Sequence, residues 1–206
     1  MTLEPAKHLG RSQRRLEDRR FVTGEGRFVS DFATPDTLHA TFVRSVVPHG
    51  RIVSIDLGDA GGMPRVVAVM TADDLELNDI TPLRGVSEVG AAMRRPPLAR
   101  ERVRYVGEPI AIVVAETRVA GLDAAEQVWP DLEELPPVVE PRTAAEGEPL
   151  FPVGNVAYHA VFPSVTQATE EFPVTAAVEV ENQRLAPSPI EGLAILCEPE
   201  DGALKI

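Results

Sequence analysis

The hydrophobic pattern of the chain is dominated by two short, continuous apolar runs. Residues 66–70 (VVAVM) and 110–115 (IAIVVA) have the length and composition typical of strands buried on both faces. Two further segments, 38–45 and 51–56, alternate roughly between apolar and polar positions and contain β-formers. The pattern therefore predicts four strands, of which two are central.

Helical signals are fewer and follow two of these strands. Thr117 can cap a helix over residues 118–128, where apolar residues recur at near-helical spacing. Thr71 and Asp74 have a cap-like spacing that predicts a short helix over 72–75. Residues 76–100 carry prolines and glycines and are predicted to form a long loop, of the kind that is more often functional than idle.

The second half of the chain is richer in proline. A strand over 132–139 should lie at a sheet edge or stop early, because Pro136 and Pro137 cannot donate to a ladder. Further strands are predicted over 174–184 and 194–198, and a last one begins at Leu204 after an Asp-Gly turn. A strand that begins without a successor suggests a chain that has been cut. Mixed strands and helices of this order predict an α+β fold.

Charge and composition exclude several classes of protein. The 206 residues carry a net charge of −12, which disfavours nucleic acid as a partner. One cysteine excludes an internal disulfide or an iron–sulfur cluster held by this chain alone, and the four histidines lack metal-ligand spacing. The sequence contains neither an apolar run long enough to span a membrane nor a secretory signal, so we expect a cytoplasmic protein.

Five segments, taken in order, resemble the large, molybdopterin-binding subunit of the xanthine dehydrogenase, aldehyde oxidase and aerobic carbon monoxide dehydrogenase family. They are 15–28 (RLEDRRFVTGEGRF), 44–52 (RSVVPHGRI), 66–75 (VVAVMTADDL), 104–111 (RYVGEPIA) and 182–192 (NQRLAPSPIEG). Their order and spacing also match that family, and the resemblance extends from the first segment to the last over nearly the whole chain.

The resemblance implies a domain organisation in four parts. It comprises an N-terminal arm (1–20), an α/β hammerhead domain (21–140), an extended Pro-rich connection (141–173) and the incomplete start of a molybdopterin-binding domain (174–206).

The resemblance also implies a reaction for the enzyme to which such a chain belongs. A molybdenum hydroxylase inserts oxygen derived from water into an aldehyde or an N-heterocycle, and passes electrons to iron–sulfur clusters and FAD on partner chains. The implied partners are the remaining molybdopterin-binding chain, an iron–sulfur subunit and an FAD subunit, and the cofactor would be held mainly by residues outside this chain. We expect no catalytic residue and no metal ligand here, and no activity from the isolated chain.

Four residues are candidates for positions near the chemistry. The resemblance implies that Glu191, Gln183 and Arg184 lie near the active site, although a structural role is favoured for each. Glu108, in the turn before the second apolar run, is a candidate for the wall of a substrate funnel. His49 could act as a general base but is expected to pack or hydrogen-bond locally, and Cys197 is expected to be a small buried hydrophobe.

Two other classes of function fit the same sequence. A non-catalytic scaffold or assembly module would keep the hammerhead fold without the chemistry. A free-standing small-molecule binding protein is a weaker fit, because the apolar residues are committed to a core. The unfinished last strand distinguishes these readings, since an unpaired edge needs a partner strand.

Overall fold

The computed structural model describes residues 12, 14–82, 85, 87–160, 174, 176–180, 182–183, 185–189 and 191–206. The chain divides into a larger unit, Asp36–Thr175, and a smaller unit that combines Met1–Pro35 with Ala176–Ile206. No helix among the described residues is long and apolar enough to cross a membrane.

The larger unit is built from two antiparallel sheets of three strands each. Its elements are β1 (His39–Arg44), β2 (Gly50–Asp56), β3 (Val66–Thr71), α2 (Glu88–Ala92), β4 (Arg102–Val103), β5 (Pro109–Ala115), α3 (Arg118–Ala125) and β6 (Trp129–Glu134). The strand orders are β1-β5-β3 and β4-β2-β6. This arrangement confirms the predicted α+β class and the four predicted strands.

The second apolar run forms β5, the central strand of the first sheet. β5 pairs with β1 on one side and with β3 on the other, so that Val113 lies opposite both Thr41 and Val69. Successive side chains of a strand point to opposite faces. Accordingly, Ala111 and Val113 belong to one core cluster, whereas Ile110 belongs to a second cluster with Val103. One strand therefore contributes to both cores.

Helix α3 covers the first sheet through its small residues. Thr117 caps the helix as predicted, because its hydroxyl oxygen accepts from the amide of Ala120 at 3.2 Å. Gly121 and Ala124 are buried against the sheet. A Cβ atom at Gly121 would lie 2.7 Å from the Thr41 hydroxyl oxygen and 3.6 Å from the Ala115 Cβ. The helix can approach the sheet this closely only with glycine at position 121.

The segment from 72 to 100 is more ordered than the sequence predicts. Residues 72–74 form a turn, so the predicted helix over 72–75 is wrong; the Asp74 carboxylate instead accepts from Thr71. The predicted loop contains α2, whose N-cap residue Ser87 accepts from the Gly90 amide and donates to the Ala157 carbonyl. Three apolar side chains of this segment are buried: Met93, Leu98 and Ala99.

The prolines after β6 act as predicted. β6 pairs only with β2 and ends at Glu134, before Pro136 and Pro137. Beyond it, residues 141–147 form consecutive turns around the side chain of Asn155, whose amide nitrogen donates to the carbonyl of Ala144 at 2.8 Å.

The described part of the smaller unit contains little regular structure. α1 (Asp18–Val22) is a single short helix, and β7 (Glu198–Glu200) and β8 (Ala203–Lys205) form a hairpin. Its predicted Asp-Gly turn is confirmed: Asp201 and Gly202 have φ angles of 46° and 82°, as a type I′ turn requires. The described residues within 174–184 are not in a strand, and the predicted strand over 194–198 starts only at Glu198. The four-part division of the chain stays a prediction.

The close approach of α3 to the sheet predicts the effect of a single methyl group. We expect Gly121→Ala to lower the free energy of unfolding by about 1–2 kcal/mol, because overpacking against Thr41 outweighs the better helix propensity of alanine. Gly61→Ala is the matched control, since its added Cβ would have no heavy atom within 4 Å. Urea unfolding measures the free energy of unfolding of both variants. A Gly121→Ala variant as stable as the wild type would contradict the close packing of α3 on the sheet.

The turn after β3 predicts a pH dependence. Hydrogen bonds from the amide of Thr71, at 2.7 Å, and from its hydroxyl, at 2.8 Å, lower the pKa of Asp74 from its ordinary value of 3.8. A lowered folded-state pKa stabilises the fold above the unfolded-state pKa, and this contribution is lost as the pH falls through the folded-state pKa.

Asp74→Asn should therefore destabilise the protein at pH 7, and the difference from wild type should shrink below the ordinary pKa of 3.8. Its exposed neighbour supplies the control variant, Asp73→Asn. Urea unfolding at pH 7 and at acid pH measures the difference, and an equal loss for Asp74→Asn at both pH values would contradict this account.

Candidate functional site

Glu108 lies in the turn that leads from β4 into β5, and its carboxylate is buried. Gly107 makes the turn possible with a φ of 91°, a conformation that side chains disfavour. The Glu108 side chain is only 1% exposed. One carboxylate oxygen accepts from the amide of Arg104 at 2.5 Å, and the other accepts from the Arg104 guanidinium at 3.0 Å. Both oxygens are therefore engaged by a single residue.

The same turn is bound to the end of β1 by backbone hydrogen bonds. The amide of Ser45 donates to the Glu108 carbonyl at 2.9 Å, and the amide of Gly107 donates to the Ser45 carbonyl at 2.8 Å. The Arg44 guanidinium donates to the carbonyl of Gly107 at 2.8 Å. The carboxylate of Glu108 thus fixes the point at which β5 begins beside β1.

Arg104 connects this turn to a distant segment of the larger unit. Its guanidinium lies 5.3 Å from the centre of the Phe151 ring, a cation–π contact, and donates to the Arg102 carbonyl at 3.3 Å. Its Nε is buried and has no hydrogen-bond partner among the described residues. These contacts describe a structural ion pair with no opening to solvent at Glu108; the funnel role of Glu108 stays a prediction.

The other three candidates fall, by their positions in the sequence, in the smaller unit. The exposed Glu191 carboxylate accepts from the amide of Val29 at 3.0 Å. Gln183 is exposed, and Arg184 lies outside the described residues. The assignment of these residues to an active site stays a prediction.

His49 forms a long-range structural contact. Its ring is 1% exposed, and Nδ1 lies 3.0 Å from the carbonyl oxygen of Pro136. Because a carbonyl only accepts, Nδ1 carries a proton and donates to it, whereas Nε2 is buried without a partner among the described residues. The amide of Leu135 also donates to the His49 carbonyl at 3.0 Å. The expected hydrogen bonding is thus found, but with residues far along the chain.

The described residues contain no set of side chains suited to a metal. No group of three or more His, Cys, Asp or Glu residues comes together in that part of the chain. Cys197 is exposed, so its predicted burial is wrong. It precedes a hairpin whose strand residues are all exposed, and no layer covers it in the described part of the smaller unit.

Sequence reasoning missed a cavity of about 430 Å³ lined by three arginines, Arg51, Arg100 and Arg102. The signal was present in the sequence, because arginines alternate at positions 100, 102 and 104 while the protein as a whole is acidic. Arg100 and Arg102 line the cavity, whereas the Arg104 guanidinium binds the Glu108 carboxylate. The net charge of −12 for the whole chain hides this local excess of positive residues.

The buried Glu108 carboxylate predicts a large effect of a small substitution. Glu108→Gln should lower the free energy of unfolding by about 3 kcal/mol, because it leaves the buried guanidinium of Arg104 without its counter-charge. Glu133→Gln, which removes the exposed partner of Arg51, is the control and should cost no more than about 1 kcal/mol. Urea unfolding of both variants measures the loss in the free energy of unfolding. Equal losses for the two variants would show that the Arg104–Glu108 ion pair does not stabilise the turn.

Comparison with known proteins identifies this architecture. Residues 23–136 match the family described as aldehyde oxidase and xanthine dehydrogenase, a/b hammerhead domain. The match spans both three-stranded sheets and α3.

Curated relatives and a solved structure agree with the family match. The chain is 41% identical over 143 residues to the nicotine 6-hydroxylase large subunit of Paenarthrobacter nicotinovorans, a region that is 69% of this chain and 18% of that protein. It is 40% identical over 146 residues to the carbon monoxide dehydrogenase large chain of Afipia carboxidovorans, covering 69% of this chain and 17% of the relative. A crystal structure of Cu,Mo-CO dehydrogenase in the carbon monoxide reduced state matches with a TM-score of 0.56 and 39% identity, covering 69% and 17% of the two chains.

The chain thus spans less than a fifth of the length of these relatives. The family match covers more than half of the chain and includes the turn built around Glu108. We conclude that the chain belongs to the aldehyde oxidase and xanthine dehydrogenase family and carries its α/β hammerhead domain.

Proposed function

We propose that this chain is the hammerhead-bearing part of a molybdenum hydroxylase large subunit. In this proposal it serves as scaffold and as part of the funnel wall of a multi-subunit oxidoreductase. The observation that carries the proposal is the family match over residues 23–136, together with 41% identity to a hydroxylase large subunit. The assembled enzyme would hydroxylate an aldehyde or N-heterocycle with oxygen derived from water.

The described residues do not fit a binding site for the molybdenum cofactor. Glu191 and Gln183 are exposed, and the one recorded contact of the Glu191 carboxylate is the Val29 amide. The carboxylates, histidines and cysteine of the described part form no cluster. We therefore assign the cofactor mainly to residues outside this chain, and the iron–sulfur clusters and FAD to partner chains. No step of the reaction is assigned to a residue here.

Exposed apolar side chains of the larger unit support a role in assembly. Trp129 is 69% exposed and Val53 58% exposed, both on the sheet that contains β2 and β6. Phe42, on the other sheet, is 41% exposed. Large apolar groups exposed on a sheet are typical of surfaces that a partner covers. The remaining molybdopterin-binding chain is the partner that the proposal assigns to them.

The alternative is a non-catalytic scaffold or assembly module that keeps the same fold. It is favoured by one observation: the buried carboxylate of Glu108 and the ring of His49 are both committed to structural contacts. The cytoplasmic location expected from the sequence stays a prediction under either reading.

Purification of the tagged chain from its own source distinguishes the two functions. We expect native mass spectrometry to detect a complex with additional chains, and metal analysis of the same sample to detect molybdenum and iron. The tag expressed alone in the same cells is the control. A metal-free monomer or homo-oligomer would contradict the hydroxylase proposal and leave the assembly module.

A further inference from the structure

One solvent-open cavity of the larger unit is lined by six residues, three of which carry positive side chains. It has a volume of about 430 Å³ and lies where β2 faces the segment that leads into β4. The residues that line it are Arg51, Ile52, Arg100, Glu101, Arg102 and Leu135. It therefore presents three guanidinium groups and one carboxylate in a protein of net charge −12.

The register of the sheet brings two of these arginines together. Arg51 and Arg102 are direct partners across β2 and β4, so their side chains leave the same face of the sheet. Like charges directly opposite each other destabilise a sheet. Glu133, opposite Arg51 on the other side, lies 3.5 Å from its Nε, but both side chains are more than half exposed. This exposed pair compensates the repulsion only weakly.

Most of the hydrogen-bonding capacity of the three guanidinium groups is unused. The Arg102 side chain has no hydrogen bond or ion pair within the described part of the chain. Arg100 makes one side-chain hydrogen bond there, from Nη2 to the Ala72 carbonyl at 3.2 Å. A guanidinium has five N–H donors in a planar fork. The adjacent core cluster contains Val103 and the partly buried Ile52, and none of the three arginines belongs to it.

We propose that this cavity is an oxyanion-binding site that takes a small molecule bearing a phosphate or carboxylate group. Guanidinium forks bind both groups in a bidentate manner, and a bound oxyanion would offset the repulsion between Arg51 and Arg102. Ile52 and Leu135 supply apolar contacts for the carbon part of the ligand. The site requires neither molybdenum nor partner chains, so it stands apart from the proposed function.

The test is an anion titration of the 206-residue chain followed by NMR. Inorganic phosphate, pyrophosphate and malonate are added separately at constant ionic strength maintained with chloride. We expect saturable shifts of the Arg51 and Arg102 signals, with a dissociation constant on the order of 1 mM for phosphate. Stronger binding of pyrophosphate identifies a phosphorylated ligand, and stronger binding of malonate identifies a carboxylate; either outcome supports the site.

Two variants separate binding from folding. Arg102→Gln should weaken binding of the best probe about tenfold or more, because it removes charge-assisted hydrogen bonds. Without anion it should be at least as stable as the wild type, because one of two facing like charges is gone. The matched control, Arg118→Gln at the start of α3, makes the same charge change on an exposed residue outside the cavity. It should leave binding unchanged.

Three results would overturn the proposal. They are linear, unsaturated shifts with all three probes; equal weakening by Arg102→Gln and Arg118→Gln; and an Arg102→Gln variant that is destabilised without anion yet still binds as the wild type does. None of these measurements involves the molybdenum enzyme, so their failure would leave the proposed function untouched.

Discussion

A carboxylate that is 1% exposed must be compensated, and the way in which Glu108 is compensated organises the larger unit. Arg104 supplies both a backbone amide and a guanidinium, so one residue satisfies both oxygens. The backbone of the same turn is hydrogen-bonded to Ser45. The pairing of β1 with β5 shifts register at this point, between Val43 and Arg44. The Arg104–Glu108 ion pair therefore sets where β5 starts, and β1, β3 and α3 all pack against β5.

This arrangement explains how the buried polar side chains of the larger unit are used. The buried polar side chains of the larger unit make structural contacts. Glu108 and Arg104 bind each other within one turn, and the His49 ring binds the carbonyl of Pro136. The features at the surface of the larger unit are of another kind. Apolar groups such as Trp129 are exposed on the sheets, and guanidinium groups line a cavity. Such features suit a scaffold that contacts partners and ligands.

The sequence predicts those parts of the fold that depend on local signals. Three features are each determined by only a few neighbouring residues. They are the apolar run of β5, the Thr117 cap of α3 and the Asp201-Gly202 turn. Between residues 72 and 100 the hydrophobic pattern is weaker, because prolines interrupt any regular spacing of apolar residues. The burial of Met93 and Leu98 depends on tertiary contacts. The predicted burial of Cys197 is wrong for the same reason, because apolar neighbours in the sequence do not by themselves create a layer that covers the residue.

The candidate site is less predictable, because its contacts depend on side-chain geometry or join residues far apart in the sequence. The segment 104–111 identified Glu108, but nothing local indicated that both carboxylate oxygens would bind Arg104. The partner of His49 is 87 residues away. The three arginines of the cavity become a cluster only when β2 and β4 pair.

The central claim is that the Arg104–Glu108 pair acts as one unit, and a double-mutant cycle tests it most directly. Arg104→Met, Glu108→Gln and the double variant would each be unfolded in urea. The account predicts a coupling free energy of about 2–3 kcal/mol, because a buried charge left alone costs more than the loss of both. Additive effects, with a coupling within about 0.5 kcal/mol of zero, would contradict it.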